Sequence, residues 1–335
     1  MPTIATGSGA EVYARNLAAG LAERGHEPAL QLAAHRFEMM PWLSGLKPPF
    51  KPDVTIANSW SAAAFANAAP LVTIVHHVVH EPSLSEHKTV SQKVFHKAFV
   101  KPMELSAIAA SRKVIAVSET TRKAVCELLG FDDAVTVLNG VDVDYYRPAV
   151  RNRTGRPIRL LFVGKPSRRK GFELVVQLAE QLGPKAHLTV IGAAPEPGIK
   201  LPSCEAKGRI SRSELRSAYQ QADFLVLPSH MEGFGYAAAE AMACGTPVIC
   251  TVGGAVAEIA HPGQAAIVIE PDRLYDTAQA ITRLAADSAT YTAMRRAARS
   301  IAEADLDDKR WLDEMEQAVM NAASTDPSYN WGDQN

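Results

Sequence analysis

Two glutamates, Glu232 and Glu240, stand with seven residues between them in the stretch EGFGYAAAEAMACGTPVI at 232–249. Gly233 and Gly235, on either side of Phe234, let backbone amides come close to a ligand. The alanine-rich helix expected over 236–244 aims its positive end at the same point. A diphosphate or a cluster of sugar hydroxyls suits such a place, because each carboxylate oxygen can accept from a neighbouring O–H. Two glutamates alone also fit a solvated loop and surface helix; the glycines, and the position after a strand of an α/β sheet, favour a ligand.

Three further groups carry chemistry. Gly164-Lys-Pro-Ser-Arg-Arg-Lys-Gly171 follows a strand expected over 158–163. A basic loop there is where α/β domains bind phosphates, so Lys165 and Lys170 are placed to neutralise a diphosphate leaving group. The competing reading is a solvated basic loop. His76, His77 and His80 follow a strand at 71–75; they lack the companion ligands of a metal site, and structural loop histidines remain the alternative. Gly7-Ser8-Gly9-Ala10 with Glu11 forms a glycine loop. It is a poor dinucleotide fingerprint, since a third glycine and an acidic residue closing the strand at 28–33 are both missing.

Short apolar runs alternating with helical patterns must position these groups, which is the mark of parallel α/β units. Strands are expected at 28–33, 53–57, 71–75, 113–117 and 135–138, then at 158–163, 188–191, 223–227, 247–251 and 265–269. Only residues 1–6 precede the glycine turn, which leaves room for a very short first strand or none. Ser8 with Glu11 and Ser211 with Glu214 have capping-box spacing, and Gly183 closes a helix over 172–182. A stretch rich in Arg and Pro at 149–157 reads as a linker. The expected organisation is a first domain over 1–148, a second over 158–310, and a C-terminal helix and tail over 311–335 with the first domain as a place to pack back.

The 335 residues suit two domains, and 47% hydrophobic with 21% charged residues is ordinary globular composition. A formal net charge of −1 gives no footprint for a nucleic-acid partner. Four scattered cysteines lack metal spacing; Cys244 and Cys250 read as buried reduced thiols, which favours a cytoplasmic location. Neither a membrane-spanning run nor a secretory signal is expected. From His87 to Lys123 eight basic residues face two acidic ones, and Lys93, Lys97 and Lys101 recur every four residues among Val94, Phe95, Ala98 and Phe99. This is either a core-facing amphipathic helix with a solvated basic edge, or a segment (Lys88 to Lys101) drawn to the anionic inner face of a membrane.

The Glu232-x7-Glu240 spacing within its glycine–alanine frame is similar to the paired-glutamate signature of glycosyltransferase family 4. The resemblance continues through Gly7-Ser-Gly-Ala-Glu11, Glu23-Arg-Gly-His-Glu27, Val114-Ile-Ala-Val-Ser118, Leu138-Asn-Gly-Val-Asp142, Phe162-Val-Gly164 to Lys170-Gly171, and Gly253-Gly254 to Glu258. It implies an α/β GT-B fold, two facing Rossmann-like domains with parallel sheets and a cleft between them. It also implies a retaining transfer of sugar from a nucleotide-sugar donor, UDP-linked before GDP-linked on family frequency, to a saccharide or lipid-linked saccharide acceptor in polysaccharide, lipopolysaccharide or glycolipid assembly. By resemblance Glu240 holds the ribose and Glu232 lies near the transferred sugar. The amides around Phe234 and Gly235 reach the sugar or distal phosphate, Gly7 and Gly9 belong to the loop over the phosphates, and His76 (or His77) reaches the sugar. Lys170 matches the family pattern, whereas Lys165 stands where arginine is usual; it keeps the charge and loses the bidentate fork. No metal or other cofactor is expected, as lysines can take the metal's part. A nucleotide-sugar epimerase of similar fold and a catalytically degenerate nucleotide-binding scaffold are the alternatives.

Overall fold

A computed structural model describes residues 1–5, 9–37, 40–47, 49–65, 69–81, 89–150, 157–196, 198–199, 201 and 204–324. The chain forms two compact units, Met1–Leu138 with Lys309–Asn335, and Asn139–Asp308. The passage between them falls at Leu138, ahead of the stretch at 149–157, of which 151–156 lie outside the described residues. Residues 139–148 belong to the second unit because its side chains hold them. Arg299 Nη1 donates to the carbonyls of Val143 and Tyr146 at 2.9 and 2.8 Å, and Arg212 pairs with Asp142 at 3.1 Å.

Unit 1 runs β1 (Pro2–Ala5), α1 (Gly9–Glu23), β2 (Gln31–Ala34), β3 (Thr55–Asn58), α2 (Ser59–Ala62), β4 (Leu71–Val75), α3 (Val90–Phe95), a π-helical turn (His96–Val100), α4 (Lys101–Ala110), β5 (Ser111–Ala116), α5 (Glu119–Leu129) and β6 (Val135–Thr136). The first strand is present and short, pairing in parallel with β2 from Pro2↔Gln31 to Ala5↔Ala34. Strands β3-β4-β5-β6 form a parallel sheet. All five residues of β4 are buried, as in a covered parallel sheet, four of them apolar and the fifth, Thr73, hydrogen-bonded to Ser111 Oγ at 2.6 Å. Tyr13, Leu17 and Leu21 on one face of α1 are buried at helical spacing. The C-terminal helix Asp308–Ala323 packs on α1: Leu312 fills the space beside Gly20, and Arg24 reaches Glu316 at 2.6 Å.

Unit 2 runs β7 (Ile158–Val163), α6 (Phe172–Leu182), β8 (Ala186–Ile191), β9 (Glu205–Lys207), α7 (Arg212–Gln221), β10 (Phe224–Val226), α8 (Tyr236–Ala243), β11 (Val248–Cys250), α9 (Gly254–Ala260), β12 (Ala266–Val268), α10 (Leu274–Ala286) and α11 (Ser288–Asp305). Its sheet is parallel throughout, in the order β9-β8-β7-β10-β11-β12. This is the doubly wound order, and it places a topological switch between β7 and β10, where ligands bind beyond the carboxyl ends of the strands. Phe162, Phe172, Tyr219 and Phe224 are fully buried in the core. Cys244 and Cys250 are buried reduced thiols, each with a pKa pushed up to about 12 by burial.

The expected strands form, with three differences. The strand expected at 28–33 lies at Gln31–Ala34, and β6 is limited to Val135–Thr136. Strand β9 was not expected: its three residues are exposed at the sheet edge, so no apolar pattern marks it. The segment from Val90 to Val100 is helical, but none of its residues is buried, which overturns the core-facing reading. Among the described residues no helix is long and apolar enough to cross a membrane.

Candidate functional site

In unit 2 the loops after β7 and β10 meet at the switch point. Gly171 makes this possible: it lies at φ 63°, and a β-carbon there would come within 2.0 Å of the Pro228 carbonyl oxygen. The contact is fastened on both sides. His230 N–H donates to the Arg169 carbonyl at 3.0 Å, and Arg169 Nη1 donates to the Met231 carbonyl at 2.9 Å. Ser167 Oγ accepts from the Lys170 amide at 3.3 Å and so braces the turn. The outcome is that Lys170 Nζ lies 3.0 Å from Glu232 Oε1, with 18% and 17% of the two side chains exposed. Ser229 Oγ donates to the same oxygen at 3.4 Å. The Lys170 ammonium also lies over Gly164, where an added β-carbon would be 2.8 Å from Nζ.

Sequence reasoning placed Gly164, Lys170 and Glu232 in one site, and the structure brings them together. Lys165 is set apart: its Nζ is 3.8 Å from Glu196 Oε1, both side chains are well exposed, and the pair is a loose surface contact. Gly233, Phe234 and Gly235 form the approach to α8. The Phe234 ring is buried and packs edge-on against Tyr236 at 5.2 Å, which anchors the loop from beneath. Gly235 opens the helix at φ 99°, a conformation L side chains rarely adopt, and Val256 at the start of α9 packs against it. Gly253 and Gly254 are thereby near the same loop, on an exposed turn.

Glu240 sits deeper. Its Oε2 accepts from Tyr219 Oη at 2.8 Å, and Tyr219 is fully buried, with its carbonyl accepting from Thr246 Oγ1 at 2.7 Å. Burial raises the Glu240 pKa, against the hydroxyls of Tyr219 and Tyr146 and the charge of Arg212, which lower it. Arg212 is itself stacked on Tyr145 at 4.1 Å and lies 5.4 Å from the Tyr146 ring centroid. Sequence reasoning missed these supporters. Tyr219 reads as an ordinary core residue of α7, and Tyr146 lies 94 positions before Glu240 in the chain (240 − 146) with no spacing rule to join them.

In unit 1, His76 follows the last residue of β4, and its Nε2 is 3.0 Å from Oδ1 of Asn58, the last residue of β3. Through this contact the imidazole can donate Nε2–H to the amide oxygen. Tyr13 packs edge-on against the imidazole at 5.0 Å. Burial, with the neighbouring His77 charge, lowers the His76 pKa to about 3, so the ring is neutral at physiological pH. His77 is exposed, and His80 turns to Glu104 at 3.2 Å. Gly9 begins α1; Gly7 lies outside the described residues. A cavity of about 810 Å³ in unit 1 is lined by Met1, Leu21, Phe50, Phe65, Glu316 and Met320 among others. It lies toward the starts of β1 and β3 and holds none of the predicted site residues.

The family model described as glycosyl transferases group 1 matches residues 147–301, and that described as glycosyltransferase family 4 matches residues 28–145. A D-inositol 3-phosphate glycosyltransferase of Xylanimonas cellulosilytica is 33% identical over 180 residues, 45% of this chain and 43% of the relative. A glycogen synthase of Mycobacterium tuberculosis is 26% identical over 278 residues, 77% of this chain and 66% of the relative. The chain thus spans less than two thirds of the length of these curated relatives. Among solved structures, sucrose-phosphate synthase from Thermosynechococcus elongatus superposes with a TM-score of 0.79 at 19% identity, covering 96% of each chain. Anabaena Alr3699/HepE, in complex with UDP and glucose, gives 0.75 at 18% identity, covering 95% of this chain and 98% of that one. At such identity the likeness is one of fold, the GT-B arrangement of two Rossmann-like domains.

Proposed function

The chain belongs to the family 4 glycosyltransferases, and we propose that it moves a sugar, with retention of configuration, from a nucleoside-diphosphate donor to a hydroxyl group of a saccharide or lipid-linked saccharide. The observation that carries this reading is the meeting of Lys170 and Glu232 at the switch point of the unit 2 sheet, beside the glycine loop that opens α8. In it Glu240 accepts from the ribose hydroxyls with the carboxylate capacity that Tyr219 and Tyr146 leave open. Glu232 accepts from hydroxyls of the transferred sugar, and the amides around Phe234 and Gly235 reach the sugar or distal phosphate. Lys170 stabilises the departing diphosphate, and exposed Lys165 swings in as a second cation, so that no metal ion is required. A diphosphate oxygen takes the proton of the incoming alcohol. His76, neutral and held by Asn58, is the unit 1 group we assign to transfer.

UDP-sugars are the first donors to test, in polysaccharide, lipopolysaccharide or glycolipid assembly. The experiment is a donor-hydrolysis and thermal-shift screen of UDP-, GDP- and ADP-sugars, with and without a chelator. Hydrolysis of one donor that persists with chelator supports the reading. Turnover lost on chelation and restored by a divalent ion refutes its metal-free part, and no shift with any nucleotide favours a scaffold.

We also assign residues 88–101 to contact with an anionic membrane. Within 89–101, Val90, Val94 and Phe99 are 78%, 61% and 58% exposed, Phe95 stacks on Phe99 at 5.6 Å, and Lys93, Lys97 and Lys101 lie among them with no acidic residue. Sedimentation with phosphatidylglycerol vesicles, lost in Phe99→Ser and absent with phosphatidylcholine vesicles, is the outcome that supports it. Equal recovery with both vesicle types sinks it.

A further inference from the structure

Glu104 of α4 is only 2% exposed, and the transfer reading gives it no part. Its Oε1 accepts from Ser59 Oγ at 3.2 Å, while its Oε2 faces His80 Nε2 at 3.2 Å. Each of these partners lies just beyond a strand end that matters. Ser59 follows Asn58, the residue that holds His76, and His80 lies four positions after His76 in the loop beyond β4. From the helix behind, one carboxylate therefore clips the carboxyl ends of β3 and β4 together.

Fold stability is a weak reason for such a clip. A buried carboxylate is costly to desolvate, and apolar residues of similar volume usually serve a core as well or better. The pair is also imperfectly closed. Although Glu104 Oε2 and His80 Nε2 approach within 3.2 Å, neither has an aligned hydrogen-bond partner among the described residues. Buried groups left short of a hydrogen bond call for an explanation, and catalytic contacts are often loose before substrate binds and tighten in the complex.

We propose that Glu104 and His80 are positioning residues for the acceptor: alignment of the His80 Nε2–H with Glu104 sets the loop after β4, and with it His76, to receive the attacking alcohol. The inference rests on the assignment of His76 to transfer. Glu104 acts through His80 and Ser59, and His80 through the loop backbone. The alignment also selects the imidazole tautomer, since a carboxylate can only accept and Nε2 must then carry the proton.

The test uses Glu104→Gln in the full chain, with water as the attacking hydroxyl, so that the natural acceptor need not be known. Glutamine keeps the shape and an acceptor for Ser59, removes the buried charge, and offers N–H where His80 Nε2 needs an acceptor. The expected result is a kcat for donor hydrolysis about tenfold or more lower, an unchanged nucleotide Kd, and a Tm unchanged or higher. The histidine ¹⁵N spectrum should show a change of tautomer at one ring. Glu104→Asp, which retains the charge, should recover part of the rate. Hydrolysis within twofold of wild type in Glu104→Gln overturns the proposal. So does a rate loss that tracks a fall in Tm and is shared by Glu104→Asp, the signature of a merely structural role. A wild-type protein that neither binds nor hydrolyses any donor overturns the transfer reading along with it, whereas an active wild type with an indifferent Glu104→Gln overturns the positioning pair alone.

Discussion

At the carboxyl edge of the unit 2 sheet, Lys170 and Glu232 meet at 3.0 Å with part of each side chain in solvent. At the same edge of the unit 1 sheet, His76 rests on Asn58, is shielded by Tyr13, and is kept neutral by burial. The two sheets share parallel topology and strand-end placement, and all three side chains are half-buried, yet one edge is charged while the other is uncharged at His76. The contrast suits the proposed substrates. A diphosphate arrives with negative charge and leaves with more, so cations that can rearrange are useful. An alcohol arrives neutral and is best met by groups whose hydrogen-bonding direction is fixed.

The largest test of that contrast is Lys170→Ala. If the unit 2 edge works through charge, donor hydrolysis should fall about 100-fold or more, as when one preorganised transition-state donor is lost elsewhere, and added salt should not restore it. Lys165→Ala should fall less, because Lys165 reaches only a loose, exposed partner. Equal losses in the two variants would mean that the Lys170–Glu232 contact does not rank the lysines.

Next in size is Glu240→Gln, which separates binding from stability. Loss of a charged acceptor should weaken nucleotide binding about tenfold and erase most of the preference for a ribose over a 2′-deoxyribose nucleotide. Burial raises the folded-state pKa of Glu240, so its contribution to stability is present at low pH and lost as pH rises through that raised value. At neutral pH the variant should therefore melt higher than wild type, with the gain shrinking as pH falls toward the ordinary carboxylate range. A lower Tm at pH 7 together with unchanged affinity would show that Glu240 is only a core residue.

How much of this was legible follows from what each feature needs. The strands around Phe162 and Leu225 are apolar runs that could only be buried, and Ser211 with Glu214 forms the capping box its spacing implied. The meeting of Glu232 and Lys170 was legible because each lies beside a glycine in a loop that follows a strand. Tyr219, Tyr146, Asn58 and Glu104 were not. Their contacts join distant segments of the chain, and their residue types are ordinary for a core helix, a loop or a strand end. The exposure of Val90 to Val100 was equally hidden, since an amphipathic period does not say which side of the helix meets the protein.

The uncharged edge of unit 1 can be tested through acid stability. The His76 pKa falls from 6.5 to about 3 on folding, so the unfolded chain binds more protons between those values. The neutral ring's share of stability is present above pH 6.5 and lost as pH falls from there toward about 3. His76→Gln retains a donor for Asn58 and should flatten that limb of a Tm-against-pH curve, while donor hydrolysis falls and nucleotide affinity holds. An unchanged acid limb would mean that the ring protonates freely in the folded protein.

The smallest effect belongs to the contact that backs this edge from the C-terminal helix. Tyr13, which shields His76, packs on Trp311 at 5.1 Å and gives its hydroxyl to Met315 Sδ at 3.1 Å. The next residue, Glu316, takes Arg24 and His26, each at 2.6 Å, and those hydrogen bonds, Arg24 first, lower its pKa. The pair is partly solvated, so Glu316→Gln should cost about 1 kcal/mol or less at pH 7 and less in high salt. A depressed carboxylate pKa contributes stability present above the unfolded value of 4.5 and lost as pH falls through the folded one. Wild type and variant should therefore converge only below pH 4.5, after most of the His76 limb has been traversed. Two acid limbs separated in this order, each removed by its own variant, would show that the shielding of His76 and the tether of the helix are distinct. A single limb abolished by either substitution would show instead that the helix tether is what keeps His76 neutral.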